Sequence, residues 1–145
     1  MDIKKTVKIG DTFYWEMGHR LPYHSGGCEN IHGHSYRLVV EVEGTTDRRG
    51  MVMDYYELRA IVQPILSEID HCFMCSTDDQ LMMAFLKDSP FKVVYVDFPT
   101  TAENIARYLL TRIAEKLKTH QGIEALTVRV SETHRDFAEC RCEFR

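Results

Sequence analysis

The segment His32-Gly33-His34 leads directly into a run, Tyr36 to Glu43, in which apolar residues recur at alternate positions. Such alternation predicts a β-strand with one buried face. If the strand reaches back through the histidines, side chains two positions apart project from the same face. Both imidazoles then point toward one place, and Gly33 between them adds no bulk. The start of this strand is therefore predicted to hold two histidine side chains, His32 and His34, that could bind a metal ion together.

A third histidine, His19, follows an earlier stretch with strand character, Val7 to Met17. A hairpin between the two strands would bring His19 to the same place. Three imidazoles are the ligand set of an open, catalytic zinc site, in which the fourth position is free for water or substrate. Cys28 lies four residues before His32, so a closed structural site with Cys28 as the fourth ligand is the alternative. Ordinary surface histidines are a further alternative, and spacing alone does not separate the three.

The composition narrows the classes of protein that remain. A chain of 145 residues is long enough for one domain with a real core, so residues 1–145 are predicted to form a single domain. The net charge of −4 argues against a dedicated nucleic-acid binder. No apolar run approaches the ~20 residues that span a bilayer. Five cysteines, with no apolar signal segment at the N-terminus, argue against a disulfide framework. We expect a cytoplasmic protein.

The rest of the chain predicts two amphipathic helices and further strands. The first helix begins near Asp54, with Glu57 completing a capping box, and Pro64 should kink or break it. The second helix begins at Thr100–Glu103, and Gly122 is expected as its stop signal. The predicted strands are Val7 to Met17, Tyr36 to Glu43, Val93 to Val96, Ala125 to Glu132 and Phe137 to Phe144. This pattern predicts an α+β fold, a small antiparallel sheet with two helices on one face, and sheet edges that invite pairing with another subunit.

Three further acidic positions are candidates for chemistry, and each has an ordinary structural alternative. Asp70 could orient the neighbouring His71 as a carboxylate orients a catalytic imidazole, or the two could be a surface pair at a helix end. Glu132 could accept two parallel hydrogen bonds from a guanine-like ring, or be a solvated residue at the end of a strand. Glu103 is explained by a capping box with Thr100.

Read in order, several short stretches resemble the 6-pyruvoyltetrahydropterin synthase/6-carboxytetrahydropterin synthase family over nearly the whole chain. The matching stretches are Gly18-His19-Arg20-Leu21, Cys28-x-x-x-His32-Gly33-His34-Ser35-Tyr36, Gly50-Met51-Val52-Met53-Asp54, Ile69-Asp70-His71, Pro99-Thr100-Thr101-Ala102-Glu103-Asn104 and Val130-Ser131-Glu132-Thr133. One such stretch would be a weak match, but six in the family's order are specific. The isoleucine before Asp70 replaces the family's usual leucine.

The resemblance implies a role for each candidate residue. The zinc ligands would be His19, His32 and His34. Cys28 would be the catalytic base, accompanied by the pair Asp70 and His71. Glu132 would anchor the pterin ring, assisted by the region that holds Thr101, Glu103 and Asn104. The family fold would be a small sheet with helices (the tunnelling fold), in which sheets join into a barrel across subunits, and two trimers would form a homohexamer with active sites between subunits.

The resemblance also implies a reaction. Three residues separate Cys28 from His32, which is similar to the bacterial 6-carboxytetrahydropterin synthases of queuosine biosynthesis. The expected activity is a zinc-dependent lyase that converts 7,8-dihydroneopterin triphosphate to 6-carboxy-5,6,7,8-tetrahydropterin, acetaldehyde and triphosphate. A 6-pyruvoyltetrahydropterin synthase, and a pterin-binding module with structural zinc, are the alternatives. The segment 72–98 is longer than in many members of the family. The resemblance therefore does not define which residues of this segment surround the substrate. No nucleic-acid or membrane partner is expected.

Overall fold

A computed structural model describes all residues from Met1 to Arg145. It contains six strands and three α-helices. The strands are β1 (Val7–His19), β2 (His32–Gly44), β3 (Cys72–Ser76), β4 (Val93–Val96), β5 (Ile123–Ser131) and β6 (Ala138–Glu143). The helices are α1 (Tyr55–Ile69), α2 (Gln80–Leu86) and α3 (Ala102–Leu117). The predicted α+β class is confirmed, and no helix has the length and apolar character needed to cross a membrane.

The six strands form one sheet in the order β4-β3-β1-β2-β5-β6. The pairs β1–β2, β2–β5 and β5–β6 are antiparallel, whereas β3 runs parallel to both β1 and β4. The prediction of a wholly antiparallel sheet is therefore wrong for the β3–β4 end. Parallel neighbours need a crossover connection, and α2 lies in the crossover between β3 and β4. This third helix and β3 were not predicted.

The long β1–β2 hairpin sets which side chains share a face. Its register pairs Trp15 with Tyr36, Met17 with His34, and His19 with His32. Side chains of these residues face the same side of the sheet as the apolar core, because paired residues project together and alternate along each strand. The core lies between this face and helices α1 and α3. The predicted placement of helices on one face is thus observed for these two helices.

Helix α1 begins at the predicted residue, because the Asp54 carboxylate accepts a hydrogen bond from the backbone N–H of Tyr56 at 2.8 Å. Glu57 does not complete a capping box through a side-chain hydrogen bond. The helix is continuous through Pro64, so the predicted break does not occur. Pro64 lacks an N–H for the carbonyl of Ala60, but both residues are exposed. Water can therefore satisfy that carbonyl.

Helix α3 begins one residue later than the predicted capping box requires. Thr101 is the capping residue, and its hydroxyl accepts a hydrogen bond from the backbone N–H of Asn104 at 3.2 Å. The assignment of Thr100 and Glu103 to a capping box is therefore wrong, and Thr100 is buried instead. Gly122 lies in the turn that leads into β5, with a positive φ of 83°, rather than at the helix end.

Candidate metal centre and active site

The three predicted histidines lie together at one end of the β1–β2 hairpin. His19 is the last residue of β1 and is paired with His32, the first residue of β2. The ring centroids are 4.6 Å apart for His19–His32, 5.2 Å for His19–His34 and 4.9 Å for His32–His34. A Cβ at Gly33 would meet the Met17 carbonyl oxygen at 3.1 Å, so glycine suits the close approach of the β1 and β2 backbones between the two histidines of β2.

Backbone carbonyls fix the orientation of two of these rings. The Nδ1 atom of His19 lies 2.7 Å from the carbonyl oxygen of Thr100, and that of His32 lies 2.8 Å from the carbonyl oxygen of Asn30. Because a carbonyl only accepts, each Nδ1 carries the hydrogen and each Nε2 keeps its lone pair.

The Nε2 atoms of all three histidines are buried and have no hydrogen-bond partner. One ligand atom from each of the three side chains lies within 4.8 Å of the other two. Three buried Nε2 atoms without a hydrogen-bond partner, facing one another, fit a metal ion that prefers nitrogen ligands. The donor set therefore suits zinc, as the sequence predicted from spacing.

Burial keeps the imidazoles of His19 and His34 in the form that binds metal. The pKa of His19 is lowered from 6.5 to about 4, chiefly by burial, while the Thr100 carbonyl opposes the shift and the other two histidines add to it. Burial and the neighbouring His32 also lower the pKa of His34. Neutral imidazole is the form that coordinates a metal, so the two rings are ready to bind it at neutral pH.

Glu132 lies directly after β5 and faces the same cluster. Its Oε1 atom is 3.8 Å from His19 Nε2, and its Oε2 atom is 3.7 Å from His34 Nε2. Burial raises the pKa of the Glu132 carboxyl; the nearby His32 opposes this shift, and the acids Glu103 and Asp136 add to it. The carboxylate is therefore not a freely solvated strand end. It is held beside the three imidazoles.

Cys28 lies in a short 3-10 turn, Gly27–Glu29, and is half-buried. Its carbonyl oxygen accepts a hydrogen bond from the backbone N–H of Leu21 at 2.8 Å. The compact group of candidate ligand atoms contains the three imidazoles and does not contain the Cys28 sulfur. This arrangement favours an open three-histidine site over a closed site with a cysteine ligand.

Asp70 and His71 form hydrogen bonds with the backbone of Glu16 in β1. The Asp70 carboxylate accepts hydrogen bonds from the backbone N–H of Glu16 and from His71 Nδ1, both at 2.9 Å. The backbone N–H of His71 donates to the Glu16 carbonyl at 2.6 Å. The Glu16 amide is the main cause that holds the pKa of Asp70 below its usual value. The carboxylate thus orients His71 and also satisfies a strand-edge amide.

The backbone of His71 pairs with Glu16, near the end of β1 that carries the imidazole cluster. The residue lines a cavity of about 310 Å³ with Met17 and His34, and also with Glu16 and Ser35. These two residues alternate with Met17 and His34 along β1 and β2, so their side chains project to the opposite face. The compact group of candidate ligand atoms contains the three imidazoles and does not contain His71.

Thr100, which lies just before α3, contacts His19 of the imidazole cluster. The sequence pattern predicted a helix cap for this residue. Thr100 holds His19 through its carbonyl, and its hydroxyl oxygen is 3.2 Å from His19 Nδ1. The Asn104 side chain donates to the Pro99 carbonyl at 2.9 Å. Thr101 is occupied by the cap, and Glu103 lies close enough to Glu132 to affect its pKa.

Comparison with known proteins shows similarity in sequence over most of this chain. The family model described as "6-pyruvoyl tetrahydropterin synthase" matches residues 8–143. The 6-carboxy-5,6,7,8-tetrahydropterin synthase of Haemophilus influenzae is 35% identical over 140 residues, covering 91% of this chain and 96% of the relative. The protein of the same name from Aquifex aeolicus is 33% identical over 132 residues, covering 77% of this chain and 81% of the relative.

Solved structures agree in fold. The 6-pyruvoyl tetrahydropterin synthase of Plasmodium falciparum has a TM-score of 0.78 at 17% identity, covering 97% of this chain and 100% of that chain. The 6-pyruvoyl tetrahydropterin synthase of Caenorhabditis elegans has a TM-score of 0.68 at 22% identity, covering 98% of this chain and 99% of that chain. The predicted resemblance is confirmed: this chain belongs to the 6-pyruvoyl tetrahydropterin synthase family.

Proposed function

We propose that the protein is a zinc-dependent lyase that converts 7,8-dihydroneopterin triphosphate and water to 6-carboxy-5,6,7,8-tetrahydropterin, acetaldehyde and triphosphate. This reaction would serve queuosine biosynthesis. The observation that carries the proposal is the set of three buried, unpartnered Nε2 atoms with the Glu132 carboxylate beside them. The names of the relatives from Haemophilus influenzae and Aquifex aeolicus support the carboxy-forming reaction.

His19, His32 and His34 would hold the zinc ion, which supplies Lewis-acid polarisation of the substrate's side-chain oxygens when bound. The chain's own groups prepare the site for this. Thr100 and Asn30 hold two of the rings through their carbonyls, so the ligand atoms are oriented before anything binds. Such preorganisation reduces the reorganisation that binding would otherwise require.

Glu132 would recognise the pterin ring. A pterin presents a ring N–H and an amino group side by side, and a carboxylate matches this pair with two charge-assisted hydrogen bonds. Thr101, Glu103 and Asn104 at the start of α3 would complete this end of the pocket. Recognition at Glu132 would place the substrate's side chain beside the histidines, because the carboxylate lies 3.7 Å from His34 Nε2.

Cys28 and His71 would move protons. As a thiolate, Cys28 would remove a proton from a substrate carbon, and His71, oriented by Asp70, would return one elsewhere on the substrate. Cys28 is close to the histidines in sequence, whereas His71 lies outside the compact group of the three imidazoles. We propose that one active site combines Cys28 of one subunit with His71 of a neighbouring subunit.

The free sheet edges offer a way to assemble such a site. β1 pairs with β3 only at Met17 and Gly18, so the earlier part of β1 has an open edge, and β6 ends the sheet on the other side. Open edges of this kind pair with other chains unless they are protected. We propose a homohexamer built from two trimers, with sheets joined into a barrel and active sites between subunits.

Product analysis tests the function. Purified zinc-loaded protein incubated with 7,8-dihydroneopterin triphosphate is expected to form 6-carboxy-5,6,7,8-tetrahydropterin and acetaldehyde, identified by mass spectrometry. Formation of 6-pyruvoyltetrahydropterin would instead identify the protein as the other synthase of the family. Binding of the pterin without any product would show a non-catalytic binding module. Cys28→Ala serves as the matched inactive control.

A further inference from the structure

Arg20 directly follows the metal-site residue His19, and its guanidinium makes three short hydrogen bonds. Nε donates to Asp79 Oδ2 at 2.6 Å, and a terminal nitrogen donates to Asp79 Oδ1 at 2.9 Å. The other terminal nitrogen donates to the carbonyl oxygen of Glu29 at 2.9 Å. One planar group therefore joins Asp79 to the turn that contains Cys28.

Asp79 is anchored independently of Arg20. It is the capping residue of α2, and its Oδ1 atom also accepts a hydrogen bond from the backbone N–H of Met82 at 3.2 Å. Its side chain is only 4% exposed, and the hydrogen bond from Arg20 is the main cause that lowers the pKa of the carboxyl. A bidentate pair with a buried carboxylate is geometrically rigid. Helix α2 thus gives Arg20 a fixed point of attachment.

The Cys28 turn is held at two points, and Arg20 supplies one of them. The backbone N–H of Leu21 donates to the Cys28 carbonyl at 2.8 Å, and Arg20 binds the carbonyl of the next residue, Glu29. The Arg20 carbonyl in turn accepts a hydrogen bond from the Thr100 hydroxyl at 3.3 Å. Thr100 is also the residue whose carbonyl holds His19. Arg20 therefore connects α2, the Cys28 turn and the support of the histidine cluster.

We propose that Arg20, together with Asp79, is a positioning residue that holds the Cys28 thiol in place relative to the three histidines. The role of Cys28 as the base rests on the proposed function, but the tethering of its turn does not. Segment 72–98 thereby acquires a function at the active site, because it supplies the carboxylate to which Arg20 is fixed. Loss of the hydrogen bonds from the Arg20 guanidinium to Asp79 and Glu29 would loosen the Cys28 turn while leaving the imidazoles in place.

The test uses Arg20→Lys and Asp79→Asn in the zinc-loaded protein. An ammonium group keeps a positive charge beside Asp79 but cannot span the carboxylate and the Glu29 carbonyl with a planar fork. Arg112→Lys is the matched control, because Arg112 pairs with Glu68 at 2.6 Å between α3 and α1, outside the proposed site. Zinc content, kcat, KM and the rate of Cys28 alkylation by iodoacetamide, resolved by peptide mass spectrometry, are measured for each. The buried thiol of Cys72 is an internal reference.

We expect both variants to retain zinc, to lose at least about tenfold in kcat with a smaller change in KM, and to alkylate Cys28 several-fold faster. Cys72 alkylation and the Arg112→Lys control should match the wild type. Wild-type kcat and alkylation in both variants would overturn the proposal, as would zinc loss in proportion to kcat. If Arg20→Lys does not fold, Asp79→Asn decides. If the wild type has no turnover, the proposed function fails and the alkylation rates alone decide the tethering.

Discussion

The carboxylate of Glu132 faces the ligand nitrogen of His34, with Glu132 Oε2 at 3.7 Å from His34 Nε2. The proposed pterin anchor and one of the proposed metal ligands thus lie side by side. The two roles have to be separated by measurements that read pterin and metal independently.

Glu132→Gln is expected to weaken pterin binding without changing the zinc content. The amide keeps the shape but leaves one acceptor, and its NH2 group faces a donor of the ring. A buried mismatch of this kind costs about 1–3 kcal/mol, or about ten- to a hundredfold in affinity. Pterin titration monitored by calorimetry, with metal analysis on the same samples, checks the expectation. Glu124→Gln, an exposed change on β5, is the control. Wild-type pterin affinity would contradict the anchoring role, and loss of zinc would assign Glu132 to the metal.

His34→Ala is expected to remove most of the zinc from a protein that otherwise binds it nearly stoichiometrically. Two imidazoles with water are a much weaker set of ligands than three. Metal analysis after dialysis against a mild chelator measures the effect. His24→Ala, which changes an exposed histidine in the loop between β1 and β2, should keep its zinc. Unchanged zinc in His34→Ala would refute the three-histidine site.

Cys28→Ala separates the open site from the closed one. For an open site, we expect the variant to keep its zinc and its thermal stability but to lose turnover, because a base has been removed without removing a ligand. For a closed site, the same change would reduce zinc affinity and stability together. Zinc content and melting temperature, measured beside His34→Ala, distinguish the two results.

The stability of the metal-free protein is expected to fall in mild acid because of His19. Its folded-state pKa of about 4 lies below the ordinary value of 6.5, so the unfolded chain takes up the proton first as the pH falls. The stabilisation is present above about pH 6.5 and is lost as the pH falls toward 4, which corresponds to about 3 kcal/mol. Urea unfolding of chelator-treated protein measures this loss. Glu132, with its raised pKa, acts in the opposite sense, so the informative comparison is with His19→Gln, whose pH dependence should be weaker.

Shared active sites predict complementation between two inactive variants. In a mixed oligomer of Cys28→Ala and His71→Ala chains, some sites combine an intact Cys28 with an intact His71 from a neighbour. Random mixing would restore about a quarter of wild-type activity, whereas each variant alone stays inactive. Light scattering should show a hexamer for the wild type. An active monomer, or mixed chains without recovered activity, would contradict the shared site.

The parts of the site that the sequence predicted depend on local spacing. His32 and His34 share a face because strand side chains alternate, and His19 joins them because β1 and β2 form a hairpin. Thr100 could not be assigned in the same way, since its contact with His19 spans 81 positions in the chain. The same holds for Asp70, whose hydrogen bond with the Glu16 amide spans 54 positions.

The missed elements lie in segment 72–98, where the local signal is weak. β3 is a five-residue strand with buried residues on both faces, so it lacks the alternation that marks β2. The capping residue of α2, Asp79, is buried against Arg20, a partner from a distant part of the chain. Tertiary contacts therefore determine the secondary structure of this segment. Its contact with the Cys28 turn through Arg20 can be seen only in the folded structure.

The pairing of His19 with His32 ties metal capture to the way the hairpin folds. A slip of one residue between β1 and β2 would turn the histidines of one strand to the wrong face together with core residues of that strand, such as Trp15 or Tyr36. An ion held by all three imidazoles is compatible with only one of these pairings. Metal loading would therefore discriminate against misaligned chains during folding, and the metal content of a preparation would report the fraction of molecules with a correctly aligned hairpin.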